Sequence, residues 1–157
     1  MFLSGFGIFL LLILLINLGW LGYMPSMKEL ENPSSSLASD LYAHDGQLIG
    51  RYYVQDRSTT KFEDISPNVF NALIATEDSR FYEHSGVDGR AVMRAVILLG
   101  KQGGGSTITQ QLAKNLFPRE NKSKLMMPIT KLKEWVMAVK LEKQLTKHEI
   151  ITLYLNT

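Results

Sequence analysis

Cysteine is absent from this 157-residue chain, so no disulfide framework can be invoked and nothing about redox compartment follows from thiol usage. Charge is absent from Met1 to Met27, and the run Phe6–Tyr23 is almost wholly apolar. At 1.5 Å per residue, a helix of that length crosses a hydrocarbon core about 30 Å thick. No basic residue precedes the run and no small-x-small cleavage site follows it, which argues for a retained transmembrane helix over a cleaved signal peptide. The same lack of Lys or Arg leaves the orientation undetermined by flanking charge. A basic stripe is missing too. Lys and Arg number 17 against 15 Asp and Glu, a formal charge of +2, and this balance argues against a nucleic-acid partner.

What remains is enough for one modest domain. Residues 1–24 are expected to form the transmembrane anchor and residues 25–40, rich in Pro and Ser, a linker. Residues 41–157 form the domain. At its start, Leu41–His44 and Gln47–Val54 flank Asp45-Gly46, a two-residue hairpin signal. Ser58-Thr-Thr-Lys61 matches the Ser-x-x-Lys nucleophile pattern, but no Ser-x-Asn or Lys-Thr-Gly partner segment accompanies it, so the stretch reads as a polar loop.

Ser66 and Pro67 suit a helix N-cap and first helical position. Phe70, Leu73, Ile74, Glu77 and Phe81 then follow at the offsets of one helix face, so a carboxylate stands where the core pattern asks for a leucine. Burying it costs several kcal/mol, roughly, unless it is paired or protonated. Two readings are open: Glu77 at the rim of the stripe, paired with Arg80 or Arg90, or Glu77 as a working group among Asp78, Arg80, His84 and Asp88. Val92, Ala95, Val96 and Leu99 make a plain core stripe on the next helix. The glycine run Gly103–Gly105 precedes Ser106-Thr107-Ile-Thr-Gln110-Gln111, where Thr107 and Gln110 fit a capping box and exposed N–H groups can approach an anion. Pro118–Thr130 mixes basic and apolar residues, as a bilayer-surface segment or a mobile loop would. A further helix is expected from Lys131, with Glu134, Ala138, Leu141 and Leu145 on one stripe. Here a second carboxylate lies on an apolar face, with Lys131 three residues before it. Thr146 and Glu149 form a capping box ahead of Ile150, Ile151, Leu153, Tyr154 and Leu155.

The segment Glu77-Asp-Ser-Arg-Phe-Tyr-Glu-His84-Ser-Gly-Val-Asp88 resembles the first signature of the peptidoglycan glycosyltransferases, with six spaced identities. These are the glycan-polymerising domains of class A penicillin-binding proteins and of monofunctional transglycosylases. Gly105–Gln111 is similar to the second signature, and Lys131–Glu134 to the third, with Thr130 in place of the family's arginine. Lys147–Asn156 is similar to the fourth, which is mostly structural. The four cover Ser66 to Asn156. The hairpin lead-in is closer to the bifunctional proteins than to the monofunctional ones, and the chain stops at Thr157 inside a helix without a C-cap, as a fragment would. The short final helix is then expected to leave Ile150, Ile151, Leu153 and Leu155 exposed.

The resemblance implies a mainly α, lysozyme-like helical glycosyltransferase domain, incomplete, behind a short β-hairpin and the membrane helix. It implies Glu77 and Glu134 as catalytic groups. For substrate binding it implies Asp78, Arg80, His84, Ser106, Thr107, Gln110, Gln111, Lys114 and Lys131. No cofactor is required and no metal ligands are assigned, although a divalent ion (Mg or Mn) is admitted at the diphosphate. The implied partners are lipid II, the growing glycan strand, the membrane and other cell-wall synthesis proteins of the divisome or elongasome. The implied location is the outer side of the cytoplasmic membrane. Two rival readings are a lysozyme-like hydrolase, which has two carboxylates but leaves the basic residues idle, and a non-catalytic anchored binding module.

Overall fold

The computed structural model describes residues 2–26, 29, 39–52, 60–98, 104–117 and 126–157. Within them the chain is mainly helical. Helix α1 (Phe2–Asn17) is followed by strands β1 (Ser39–Tyr42) and β2 (Leu48–Tyr52). Then come α2 (Pro67–Glu77), α3 (Gly89–Ile97), α4 (Ile108–Leu116), α5 (Met127–Gln144) and α6 (Lys147–Leu155), with single 3-10 turns at Phe62–Asp64 and Phe81–Glu83.

The apolar N-terminal run does not form the continuous helix expected from Phe6 to Tyr23. Helix α1 stops at Asn17 after 16 residues, about 24 Å of rise, and among the described residues no helix is long and apolar enough to cross a membrane. The break has a local cause, because Gly19 and Gly22 take φ values of 75° and 106°, outside the helical region. Near its end, Ile16 is fully buried and the helix packs on α5.

The hairpin forms, with a longer turn than Asp45-Gly46 alone predicts. Ser39 pairs with Tyr52, Asp40 with Arg51, Leu41 with Gly50 and Tyr42 with Leu48, and the register shifts between Leu41 and Tyr42. Ala43 N–H donates to the Gln47 carbonyl at 2.8 Å, and the Asp45 carboxylate accepts from Gln47 N–H at 3.1 Å, so the turn spans Ala43–Gln47. Ser58, most of the linker, Gly100–Gly103 and Pro118–Leu125 lie outside the described residues.

Helix α2 begins as its sequence dictates: Ser66 accepts from Asn68 N–H and Pro67 occupies the first turn. It ends at Glu77, and the chain tightens into the 3-10 turn that delivers Phe81 to the core. Phe81, Ile108, Leu112, Ala113, Met137, Leu141, Ile150 and Ile151 form that core. Each large side chain fully buried there contributes roughly 1.5–3 kcal/mol. Ile150 and Ile151 are fully buried against α4 and α5, so they are not the exposed surface expected of the last helix. Leu155 alone of that group is exposed. The stripe proposed for α3 also fails: Val96 is exposed, and Leu99 lies outside the described residues. Helix α5 starts at Met127, one turn before the expected Lys131, because Pro128 suits a first helical turn.

Two contacts fix the path of the chain, one at the turn after Phe81 and one between Thr60 and Asn156. Gly86 has φ 92°, and a Cβ there would meet the Ala138 backbone at 2.7 Å, so α5 passes against the turn as only glycine allows. Asn156 clasps Thr60 with two bonds, Thr60 N–H to Asn156 Oδ1 and Asn156 Nδ2 to the Thr60 carbonyl, both 2.9 Å.

Candidate active site

Helix α2 ends where the chemistry starts. Glu77 is its last residue and Asp78 its C-cap. Successive side chains diverge at a helix end, and here Asp78 points inward, 8% exposed, while Glu77 is exposed. The burial expected for Glu77 from the stripe is therefore found one residue later. The reason is that the helix terminates before the stripe's next turn, and Phe81 reaches the core through the 3-10 turn instead.

Asp78 is saturated. Its carboxylate accepts from His84 Nε2 at 3.0–3.1 Å and from Ile108 N–H, the first residue of α4, at 3.1 Å. His84 Nδ1 in turn accepts from Gly86 N–H at 3.2 Å, which fixes the Nε2–H tautomer. The Gly86 carbonyl takes two donors from α4 and its cap, Thr107 Oγ1 at 2.7 Å and Gln110 Nε2 at 3.1 Å. Thr107 caps α4 through Gln110 N–H, but the Gln110 side chain goes to Gly86, so only half of the expected capping box exists. Lys147 closes the turn from α6, donating to the His84 carbonyl at 2.7 Å and lying over the Phe81 ring at 4.3 Å.

Arg80 pairs with Asp88 through Nε at 2.9 Å and Nη2 at 2.6 Å. Asp88 is also the N-cap of α3, accepting from Arg90 and Ala91 N–H. Burial works against its charge, but the Ala91, Arg80 and Arg90 donors together hold its carboxyl below the ordinary value. On α5, Glu134 is buried at 2% exposure, and Lys131 bridges it to Ser106, with Nζ 3.0 Å from Glu134 Oε2 and 2.7 Å from Ser106 Oγ. Gln111 on α4 donates to Glu77 Oε2 at 2.8 Å.

These elements enclose a cleft of about 380 Å³, lined by Glu77, Asp78, Ser79, Arg80, Asp88, Arg94, Ser106, Thr107 and Gln111 among others. Of the residues singled out in the sequence, Glu77, Asp78, Arg80, Ser106, Thr107 and Gln111 meet there. Lys131 and Glu134 adjoin through Ser106, while His84 and Gln110 support from behind. Lys114 is exposed and does not line the cleft. Asp78 and Asp88 are held by the partners just described, and among the described residues no group of three or more His, Cys, Asp or Glu is placed to hold a metal.

Sequence reasoning placed Asp88 beside Glu77 in the first signature without a substrate role, and assigned none to Arg94 or Glu142. Asp88 carried a signal as the cap before Gly89-Arg90, and Arg94 as a charge one turn after Arg90. Glu142, which accepts from Thr109 Oγ1 at 2.6 Å and Lys147 Nζ at 2.8 Å, joins residues too far apart in sequence to be paired by pattern.

Residues 45–157 match the sequence model of the family described as Transglycosylase. Penicillin-binding protein 1A of Neisseria flavescens is 41% identical over 137 residues, 85% of this chain and 17% of its own length. Penicillin-binding protein 1A of Escherichia coli (strain K12) is 39% identical over 137 residues, 85% and 16% of the respective chains. Penicillin-binding protein 1F of Bacillus subtilis (strain 168) is 40% identical over 153 residues, 94% and 20%. The chain thus spans a fifth or less of the length of these relatives. With the motif residues gathered around one cleft and the family match running across them, the chain belongs to the transglycosylase family and resembles the corresponding part of class A penicillin-binding proteins.

Proposed function

We propose that this chain carries the glycan-polymerising centre of a class A penicillin-binding protein, joining lipid II units into β-1,4-linked strands with release of polyprenyl diphosphate. The observation that carries the reading is the cleft itself, which is lined by an exposed carboxylate, Glu77, together with Arg80 and Arg94. In this reading the 4-hydroxyl of the incoming GlcNAc attacks the anomeric carbon of the donor MurNAc with inversion. The C–O bond to the lipid diphosphate breaks and the hydroxyl proton passes to Glu77. A sugar hydroxyl is a poor nucleophile at neutral pH, and a positioned base contributes roughly a hundred- to ten-thousand-fold. The leaving diphosphate needs opposing charge more than a proton. Lys131 supplies it beside Ser106, together with Arg80, and buried Glu134 orients the Lys131 ammonium.

The substrate is lipid-linked, and α1 supplies an apolar surface to meet a bilayer: Ile8, Leu10, Leu11 and Leu14 are exposed on it, and Trp20 is exposed just after it. We place the cleft at the outer face of the cytoplasmic membrane with α1 as its membrane contact, and the full domain as lysozyme-like. The test is to supply lipid II to the complete gene product in detergent and follow both products. Glycan strands with released polyprenyl diphosphate are expected. New reducing ends from preformed glycan, without diphosphate release, would establish a hydrolase instead.

A further inference from the structure

Tyr154 lies on α6, in the segment that the sequence reading treated as structural. Its hydroxyl donates to Gln111 Oε1 at 3.0 Å, and the same amide donates through Nε2 to Glu77 Oε2 at 2.8 Å. We propose that Tyr154 is a positioning residue for glycan polymerisation, acting on the Glu77 carboxylate through the Gln111 side chain. The inference rests on the reading of Glu77 as the base.

A primary amide has one accepting end and one donating end. Here a phenol donor meets the first and a carboxylate acceptor meets the second, so both neighbours specify the same orientation of the amide. A flipped Gln111 would turn its oxygen on the carboxylate. Glu77 is exposed at a helix end, where a glutamate otherwise samples several rotamers. Gln111 and Tyr154 are half-buried on two helices that pack together, so they form a fixed bracket from the core to a mobile carboxylate. Burial first and the nearby Glu77 charge second raise the phenol's pKa above the ordinary value. The other charged groups lining the cleft around Glu77 are Asp78, Arg80, Asp88 and Arg94, and none of them is altered in the test.

The test is a double-mutant cycle in the complete gene product with lipid II as substrate: wild type, Tyr154→Phe, Gln111→Ala and both together. Tyr154→Phe removes one hydroxyl and keeps the ring in the core. We expect kcat to fall about tenfold, as losing one positioning hydrogen bond at a reacting group would give. KM should move less than about twofold, because the change acts on the reacting geometry and not on ground-state binding. In the Gln111→Ala background the Tyr154 change should add nothing. Losses that multiply, or a Tyr154→Phe enzyme within about twofold of wild type, would overturn the relay and leave the assigned activity intact. An inactive wild type would instead remove the assigned activity. The relay then stands or falls on 3-fluorotyrosine placed at position 154: its ¹⁹F signal should shift on Glu77→Gln, and that shift should vanish with Gln111→Ala. A signal indifferent to Glu77 overturns it.

Discussion

The Asp78 carboxylate accepts the backbone N–H of Ile108, thirty positions further along the chain, at 3.1 Å. The residue next to the proposed base thus satisfies one of the donors that every helix leaves open at its N-terminus, and so ties the end of α2 to the start of α4. His84 shares the same carboxylate. Asp78 and His84, which the family resemblance assigns to substrate, also hold the two walls of the cleft together.

Asp78→Ala should therefore be a stability variant before it is an activity variant. It leaves a buried N–H and a buried imidazole N–H without their acceptor, and a loss of about 2–4 kcal/mol is expected. Asp78→Asn, which keeps one acceptor oxygen, should lose less than half of that. Denaturant midpoints of the two variants compare them directly.

Glu77→Gln should abolish polymerisation, with kcat reduced at least about a hundredfold, while lipid II binding changes little. The amide keeps the shape and loses the basicity. Retention of more than about a tenth of wild-type turnover would reject Glu77 as the base.

Gly86→Ala should cost about 2–4 kcal/mol in unfolding free energy, from a positive φ and a Cβ driven to 2.7 Å from the Ala138 backbone. Because the obstacle is backbone, no neighbouring rotamer can relieve it. Thermal unfolding that matches wild type would show that α5 can move aside.

The Arg80–Asp88 pair sets an acid dependence. Asp88 titrates below its ordinary value in the folded protein, so its contribution is present above the unfolded carboxyl pKa of about 3.9. It is lost as pH falls through the lower folded value. Arg80→Met should reduce stability at neutral pH by about 1–2 kcal/mol, and the difference from wild type should shrink once Asp88 is protonated. Urea unfolding at pH 7 and near pH 2.5 measures both ends.

Local features were readable from sequence because their physics is local. Ser66 and Thr146 are caps in the structure as read, and Glu134 does sit buried beside Lys131. Helix ends were less readable. The Phe70–Phe81 periodicity ran through the point where α2 stops, so it placed Glu77 on the core stripe, whereas the buried carboxylate is Asp78. The N-terminal apolar run was read as one helix although Gly19 and Gly22 interrupt it. Long-range bonds such as Tyr154 to Gln111 leave no periodic trace at all, and only the fold displays them.

The clasp between Thr60 and Asn156 spans 96 positions, which matters for a chain made from one end. At about 5–20 residues per second, Thr60 emerges roughly 5–20 s before the side chain that will hold it. During that interval the α2 segment, the turn at Gly86 and the Thr107 cap can meet, but the strand of chain leading into them has no anchor on α6. Assembly is therefore expected to proceed from the cleft outward, with the entry segment fastened last. A destabilised Asn156 should show itself first as slow acquisition of protease resistance during synthesis, before any change in the finished active site.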